Sequence, residues 1–281
     1  MSKLISANFS RLFHSMIFWL CMLFEFGFAV FAVGTRFRDL LIAPEYAFHT
    51  ADGLWFAGGI YFGIIVAVFT GIWVGTDYSD GTIRNKLAVG HTRGEIYGAN
   101  WVVCVSAALM MHVVYIVTIA GLGCLLLEPF ETPVRTLVLC SLASIVTVVA
   151  MVSLFLLLAM LIHSKSTGVV VAILTALALT MAGVTVYSKL QAPEYIESSF
   201  IMNEEGQIVQ GEPIPNPNYL RGTKRKVYEF IMDFQPCSQM LEYAFSKEPP
   251  KNLAVLPVYS LIVTVGTSLG GWYFFRRKDL K

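Results

Sequence analysis

Six long stretches almost free of charged residues constrain most strongly what this chain can fold into. A helix needs about 20 mostly apolar residues to cross roughly 30 Å of hydrocarbon. Every stretch holds at least 23 residues, and Glu25 is the one charge inside any of them. The stretches lie between Arg11 and Arg36, Asp52 and Asp77, Glu95 and Glu128, Arg135 and Lys165, Lys165 and Lys189, and Lys251 and Arg276. With 56% hydrophobic and 14% charged residues, the chain is predicted to be an all-α integral membrane protein with six transmembrane helices.

The distribution of Lys and Arg predicts how these helices are oriented. Cytoplasmic loops carry an excess of both residues. One set of short segments holds ten of them, whereas the other set holds three, namely Arg36, Arg38 and Arg135. We therefore expect cytoplasmic N- and C-termini in a multi-pass protein of the cell membrane. Residues 1–188 would hold spans 1–5, residues 189–252 an extracellular segment, and residues 253–281 the sixth span and a basic cytoplasmic tail.

The N-terminal residues before the first span are predicted to form an amphipathic helix that lies in the membrane interface. In a helix from Ser2 to Ser15, Lys3 and Arg11 would reach the lipid headgroups. The apolar side chains that share its other face are Leu4, Ile5, Leu12 and Phe13. An unstructured leader is the alternative.

The extracellular segment between spans 5 and 6 is predicted to form a lid over the outer mouth of the protein. A hairpin is expected around residues 203–206, followed by short helices over residues 223–234 and 236–246. Their apolar face would consist of Phe230, Ile231, Met240, Leu241 and Phe245. A solvated spacer is the alternative.

Several classes of chemistry have no support in the sequence. No G-x-x-x-x-G-K-[ST] loop is present, so we expect no nucleotide site, and single scattered histidines predict no metal site. A net charge of +1 gives no reason to expect nucleic acid as a partner. Within the spans the ionisable groups are sparse, with Glu25 and His112 at similar depth. We expect these two to pair, either as a buried interhelical hydrogen bond or as a polar spot in a transport path.

Residues 79–90 between spans 2 and 3 form the most informative segment. Ser79 or Asp80 can cap a short helix and Gly90 can end it. The helix would be apolar at Ile83, Leu87 and Val89 and basic at Arg84 and Lys86. Thr92-x-x-Glu95 is a capping box that begins the next helix, about 45 Å long. A short helix held between two long ones is suited to transmit force from a cytoplasmic partner; an ordinary positively charged loop is the alternative.

The chain resembles the permease subunits of type-2 ATP-binding-cassette exporters. The stretch that resembles their cytoplasmic coupling helix consists of Asp80, Gly81, Thr82, Ile83, Arg84, Asn85, Lys86 and Leu87. Residues 215–219, 222–225 and 227–230 and the ending at residues 274–280 resemble clostridial and bacillar members. Asp77 stands where members often carry Glu.

The resemblance implies the function that we expect. Two copies of a separate cytoplasmic ATPase would bind ATP and Mg²⁺ and dock on the coupling helix, so that this chain needs no cofactor and has no catalytic residue. A second permease subunit, identical or a sister chain, would complete a path that exports an amphipathic peptide, an antimicrobial or a lipid-like molecule. Alternatives are a permease that senses an antimicrobial or confers self-immunity without net transport, and a secondary transporter or channel.

Two stripes of small residues predict close packing between helices in the membrane. On the second span the stripe consists of Gly59, Gly63, Ala67, Gly71 and Gly75, and on the fifth span of Gly168, Ala172, Ala176 and Thr180. We expect the two spans to meet. The family's fold implies a contact across a dimer interface that lines the substrate route, and packing within one chain is the alternative.

Overall fold

The computed structural model describes residues 1–196, 200–202, 208–210, 213–245 and 250–278. These residues form a mostly helical protein with very short strands. The helices are α1 (Ser2–Phe13), α2 (Met16–Ile42), α3 (Gly59–Ser79), α4 (Thr82–Ala88), α5 (Arg93–Leu126), α6 (Val134–Leu161), α7 (Lys165–Leu190), α8 (Gly222–Phe234), α9 (Pro236–Phe245) and α10 (Leu256–Arg277). Two short 3₁₀ turns, Pro44–Tyr46 and Asp52–Leu54, lie between α2 and α3.

Among the described residues, six helices are long and apolar enough to cross a membrane. They are α2, α3, α5, α6, α7 and α10, which confirms the six predicted spans and a multi-pass membrane protein. The capping box of Thr92 and Glu95 is present at the start of α5, as predicted. At 1.5 Å per residue, the 34 residues of α5 extend about 51 Å, so this helix is longer than the hydrocarbon is thick.

The bundle has two distinct ends, which we name after the short helices they carry. The α4 end holds α1, α4 and the last residues of α10, and the α9 end holds α8, α9 and the connection between α2 and α3. Within the bundle α6 packs against α3, α5 and α10, while α2 lies mainly on α5 and α7 mainly on α3. The centre of this arrangement is densely buried, since Phe62, Phe69, Met151 and Phe155 are almost inaccessible to solvent.

Both stripes of small residues are covered within this chain. A Cβ atom at Gly71 would lie 3.1 Å from Val169 Cα, and one at Gly75 would lie 3.0 Å from Lys165 Cα, so α3 and α7 approach closely at the α4 end. The stripe residues of α7 that are buried are Gly168, Ala172, Ala176 and Thr180. The two spans therefore meet within one chain, which is the alternative to a contact across a dimer interface.

At the α9 end of the bundle, the α3 stripe packs against α9 instead of α7. A Cβ atom at Gly59 would lie 2.7 Å from the Met240 carbonyl oxygen, and one at Gly63 would lie 3.2 Å from Cys237 Sγ. Because α9 is inserted between α3, α6 and α7, it forms part of the bundle and does not simply cover it. The predicted helices are confirmed as α8 and α9.

The predicted apolar face of α8 and α9 is divided between core and surface. Met240 and Leu241 are buried, whereas Phe230, Ile231 and Phe245 remain exposed. The strands of the predicted hairpin, Phe200–Met202 and Ile208–Gln210, pair antiparallel, and their connection lies outside the described residues. A second pair, Tyr195–Ile196 with Ile214–Pro215, was not predicted.

Candidate functional site

The short helix α4 is separated from its long neighbours by two glycines with left-handed backbone conformations. Gly81 has φ +67° and occupies the N-cap position, and Gly90 has φ +98° just after the helix. Left-handed conformations favour glycine because it has no Cβ. The expectation that Ser79 or Asp80 caps α4 is wrong, since neither side chain caps it; Ser79 Oγ donates to Asp80 at 3.0 Å instead. Gly90 ends the helix, as predicted.

A fully buried carboxylate lies beneath α4, at the end of α3. Asp77 accepts hydrogen bonds from the guanidinium of Arg11 and, at 3.1 Å, from Nζ of Lys86. The amide nitrogen of Asn100 approaches the same carboxylate at 3.4 Å. Asp77 therefore joins four helices, because Arg11 comes from α1, Lys86 from α4 and Asn100 from α5.

Aromatic and amide groups fix the cations around this carboxylate. The Arg11 guanidinium lies 3.7 Å from the centroid of the Trp73 ring, and Trp73 Nε1 donates to Asn100 Oδ1 at 3.0 Å. Lys86 Nζ also donates to Asn8 Oδ1 at 3.3 Å. Burial lowers the pKa of Lys86, and the neighbouring Asp77 opposes this change. The position of Arg11 corrects the expectation that it reaches the lipid headgroups.

The residues of the predicted coupling helix divide into an inner and an outer set. Ile83 is 1% exposed and belongs to the core, and Lys86 is directed to Asp77. Gly81, Thr82 and Leu87 are partly buried. The exposed residues are Asp80, Arg84, Asn85, Ala88 and Val89. The predicted apolar face is thus divided, because Val89 is 81% exposed while Ile83 packs inward.

The chain's C-terminal residues support the base of the same region. Arg93 Nη1 donates to the carbonyl oxygens of Phe275 and Arg276, both at 3.1 Å. Lys278 Nζ donates to the Met160 carbonyl at 2.8 Å and to the Tyr78 hydroxyl at 3.0 Å. A cation at the last carbonyls of a helix is favourable, because those groups lack partners within the helix. These bonds join α10 to α5 and to the end of α6.

Glu25 and His112 are both buried, but they do not pair. Glu25 accepts a hydrogen bond from the Tyr61 hydroxyl at 3.3 Å, and its other oxygen has no partner among the described residues. His112 Nε2 lies 2.8 Å from Ser144 Oγ, and its ring lies against Phe62. The predicted pairing is therefore wrong, because each group meets a partner on a different helix, α3 for Glu25 and α6 for His112.

Within the described parts of the chain, no group of three or more His, Cys, Asp or Glu side chains could hold a metal ion. The Asp77 site is electrostatic in character, because one carboxylate holds two cations from separate helices. Sequence reasoning missed this role of Asp77, which was noted only as a departure from the family pattern. Its position directly after an apolar span was the available signal, since a carboxylate there needs a partner.

No family model and no curated protein matches the chain.

Proposed function

We propose that this chain is the membrane-spanning subunit of an ATP-driven exporter and that α4 is where a cytoplasmic ATPase docks. One observation carries the proposal: α4 is bound to its own chain on one side and exposed on the other. Lys86 and Ile83 hold the inner side, while Arg84, Asn85 and Val89 are free to contact a partner. A helix of seven residues with no inner contact would be only marginally stable.

The contacts beneath α4 give a physical route for coupling. Displacement of α4 would pull on Asp77 through Lys86, and therefore on α3. The same carboxylate contacts Arg11 of α1 and Asn100 of α5, so these helices would follow. Closure of two ATPase subunits would in this way shift the spans between inward-open and outward-open states.

Long apolar surfaces on α2, α7 and α10 support an amphipathic or lipid-like cargo, such as a peptide or an antimicrobial. Large hydrophobic side chains are exposed along these helices, for example Phe31, Leu174 and Leu261. A second permease subunit would bury part of this surface, since both small-residue stripes are already covered. The cytoplasmic position of α1, α4 and both termini belongs to this proposal.

Replacement of Arg84 with glutamate tests ATPase docking. Tagged wild-type protein and the variant would be purified from their own cells in mild detergent, and Mg-ATP hydrolysis would be measured in the eluate. We expect ATPase activity to co-purify with the wild type and to be lost with Arg84→Glu, because charge reversal in an interface places like charges against each other, which is strongly disfavoured. Arg135→Glu, an exposed arginine at the opposite end, is the matched control and should behave like the wild type.

The outcome that would contradict docking on α4 is equal ATPase recovery with Arg84→Glu and the control. Where docking holds, inside-out vesicles separate transport from sensing. ATP-dependent accumulation of an amphipathic peptide supports export. Peptide-stimulated hydrolysis without accumulation would instead support a sensing role.

A further inference from the structure

A groove of about 610 Å³ lies on the α9 end of the molecule, beside the second half of α2. Phe28, Phe31 and Ala32 of α2 form one wall, and the connection that leads to α3 forms the other with Phe48 and Leu54. The volume is within the usual range for small-molecule sites, roughly 300–1,000 Å³. The groove is a feature of the fold, and the proposal below does not require that the protein is a transporter.

The second wall is fixed by polar contacts. Arg36 Nη1 donates to the Thr50 carbonyl at 2.7 Å, which ties the connection to α2. The two oxygens of Asp52 accept from the backbone nitrogens of Glu131 and Thr132 at 3.0 and 2.8 Å. His49 Nδ1 lies 3.1 Å from Glu128 Oε1. These contacts hold the second wall of the groove in a defined position.

Arg36 is the one cation among the residues that line the groove. Two carboxylates lie near it: Asp39 lines the groove and pairs with Arg38 at 2.8 Å, and Asp52 accepts from backbone donors while its charge also acts on Arg36. Arg36 lies 5.1 Å from the centroid of the Phe48 ring. Its hydrogen bond to Thr50 uses one of five N–H groups, and the others have no hydrogen-bond partner among the described residues. An anion would complement this guanidinium, which can hold a phosphate with two parallel hydrogen bonds.

We propose that the groove binds one anionic phospholipid from the leaflet at the α9 end. Its phosphate would lie on Arg36, near the end of α2. Phe28, Phe31 and Ala32 lie four to eight residues deeper along α2, about 6–12 Å toward the middle of the helix. They form an apolar track for one acyl chain. Head and tail of a phospholipid therefore match the order of charged and apolar groups along the groove.

Native mass spectrometry of the purified protein in detergent tests this site. Wild type and variants would be titrated with phosphatidylglycerol, with phosphatidylcholine, and with glycerol 3-phosphate as a headgroup without chains. We expect one phosphatidylglycerol per chain, weaker phosphatidylcholine binding and no glycerol 3-phosphate binding. Arg36→Gln should weaken phosphatidylglycerol binding about tenfold or more, because a hydrogen bond between charged groups contributes about 1.5–3 kcal/mol. Arg135→Gln removes an exposed arginine at the same end and should have no effect.

A second variant reduces the space in the groove without touching the cation. Ala43 lines the groove and is exposed, so Ala43→Trp fills space without disturbing the core, and it should also weaken lipid binding. The proposal is wrong if Arg36→Gln binds lipid as the control does, or if phosphatidylcholine binds equally well. It is also wrong if glycerol 3-phosphate binds as tightly as the lipid, which indicates a free-phosphate site. Dimers that exclude lipid and are lost in Ala43→Trp would identify a second copy of the chain as the occupant.

Discussion

Replacement of Asp77 with asparagine tests whether this carboxylate holds α4 in place. The Asp77 side chain is fully buried, and its partners Lys86 and Arg11 are 12% and 32% exposed. Asparagine has nearly the same shape and retains one oxygen that can accept a hydrogen bond. The variant loses the negative charge that two cations share, so Lys86 would remain buried opposite a neutral amide.

The cost of this change follows from the burial of the pair. Removal of one partner of a buried ion pair costs about 3–5 kcal/mol, because the remaining charge is left uncompensated. We expect the lower end of this range, since the amide oxygen still accepts a hydrogen bond and Arg11 is partly solvated. A loss of about 3 kcal/mol changes an equilibrium about 100-fold, because 1.4 kcal/mol corresponds to a factor of ten.

Amide hydrogen exchange measures this effect locally. In lipid nanodiscs, the protection factors of the α4 amides that donate within the helix, at residues 85–88, should fall about 100-fold in Asp77→Asn, because local opening of α4 becomes easier. Amides where α6 packs on α10 should be unchanged. Asp80→Asn is the matched control, since it removes an exposed carboxylate three residues away.

The reasoning fails if α4 in Asp77→Asn exchanges within about threefold of the wild type, or if Asp80→Asn has the same effect. A double variant separates charge from packing. Lys86→Met combined with Asp77→Asn removes the uncompensated cation and should restore part of the protection. Equal exchange in the single and double variants would contradict an electrostatic origin.

Two further predictions concern the α9 end. Gly59→Ala places a Cβ 2.7 Å from the backbone oxygen of Met240, so it should destabilise the protein by about 1–3 kcal/mol; the melting temperature should fall relative to Gly27→Ala, where no atom lies within 4 Å. Burial raises the pKa of Glu242 to about 7, whereas the ordinary pKa of a glutamate is about 4.3. Between these two pH values the folded protein keeps a proton that the unfolded chain has released. The free energy of unfolding therefore falls as pH rises through this window. The melting temperature should therefore be higher at pH 5 than at pH 8, and Glu242→Gln should reduce this difference, whereas Glu229→Gln, which changes an exposed carboxylate, should leave it unchanged.

Features that depend on local sequence could be predicted. The six spans follow from the length of apolar runs, and the start of α5 from the two residues of a capping box. The helices α8 and α9 were also predicted within one or two residues at their ends. In each case the signal lies within a few turns of the element itself.

Features that depend on the rotation of one helix against another could not be predicted. Glu25 and His112 lie at similar depth, and depth was the only coordinate that the sequence supplied. In the structure Glu25 faces Tyr61 of α3, and His112 faces Ser144 of α6. Hydrophobic periodicity is weak in helices that are apolar all round, so it does not report which way such a side chain points.

The insertion of α9 shows a second limit of sequence reasoning. An apolar face on a short helix predicts that this face is buried, but it does not indicate which element packs against it. The Gly59 and Gly63 positions were assigned to contacts between spans, because small residues at spacing four are typical of such contacts. Gly59 instead admits the backbone of α9 at Met240, and Gly63 admits the Cys237 side chain of the same helix. The same spacing thus serves two different neighbours along one helix.

If α4 is the docking element that we propose, the contacts at the α4 end give α1 a part in coupling. Arg84 and Lys86 are two residues apart and therefore about 200° apart around the helix, which is why one cation faces outward and the other reaches Asp77. Arg11 binds the same carboxylate from α1. Because a single negative charge serves both cations, withdrawal of Lys86 changes the field at Arg11, and α1 and α4 cannot move independently. On that proposal, a force applied at Arg84 would reach α1 as well as α3, and the N-terminal helix would belong to the coupling element.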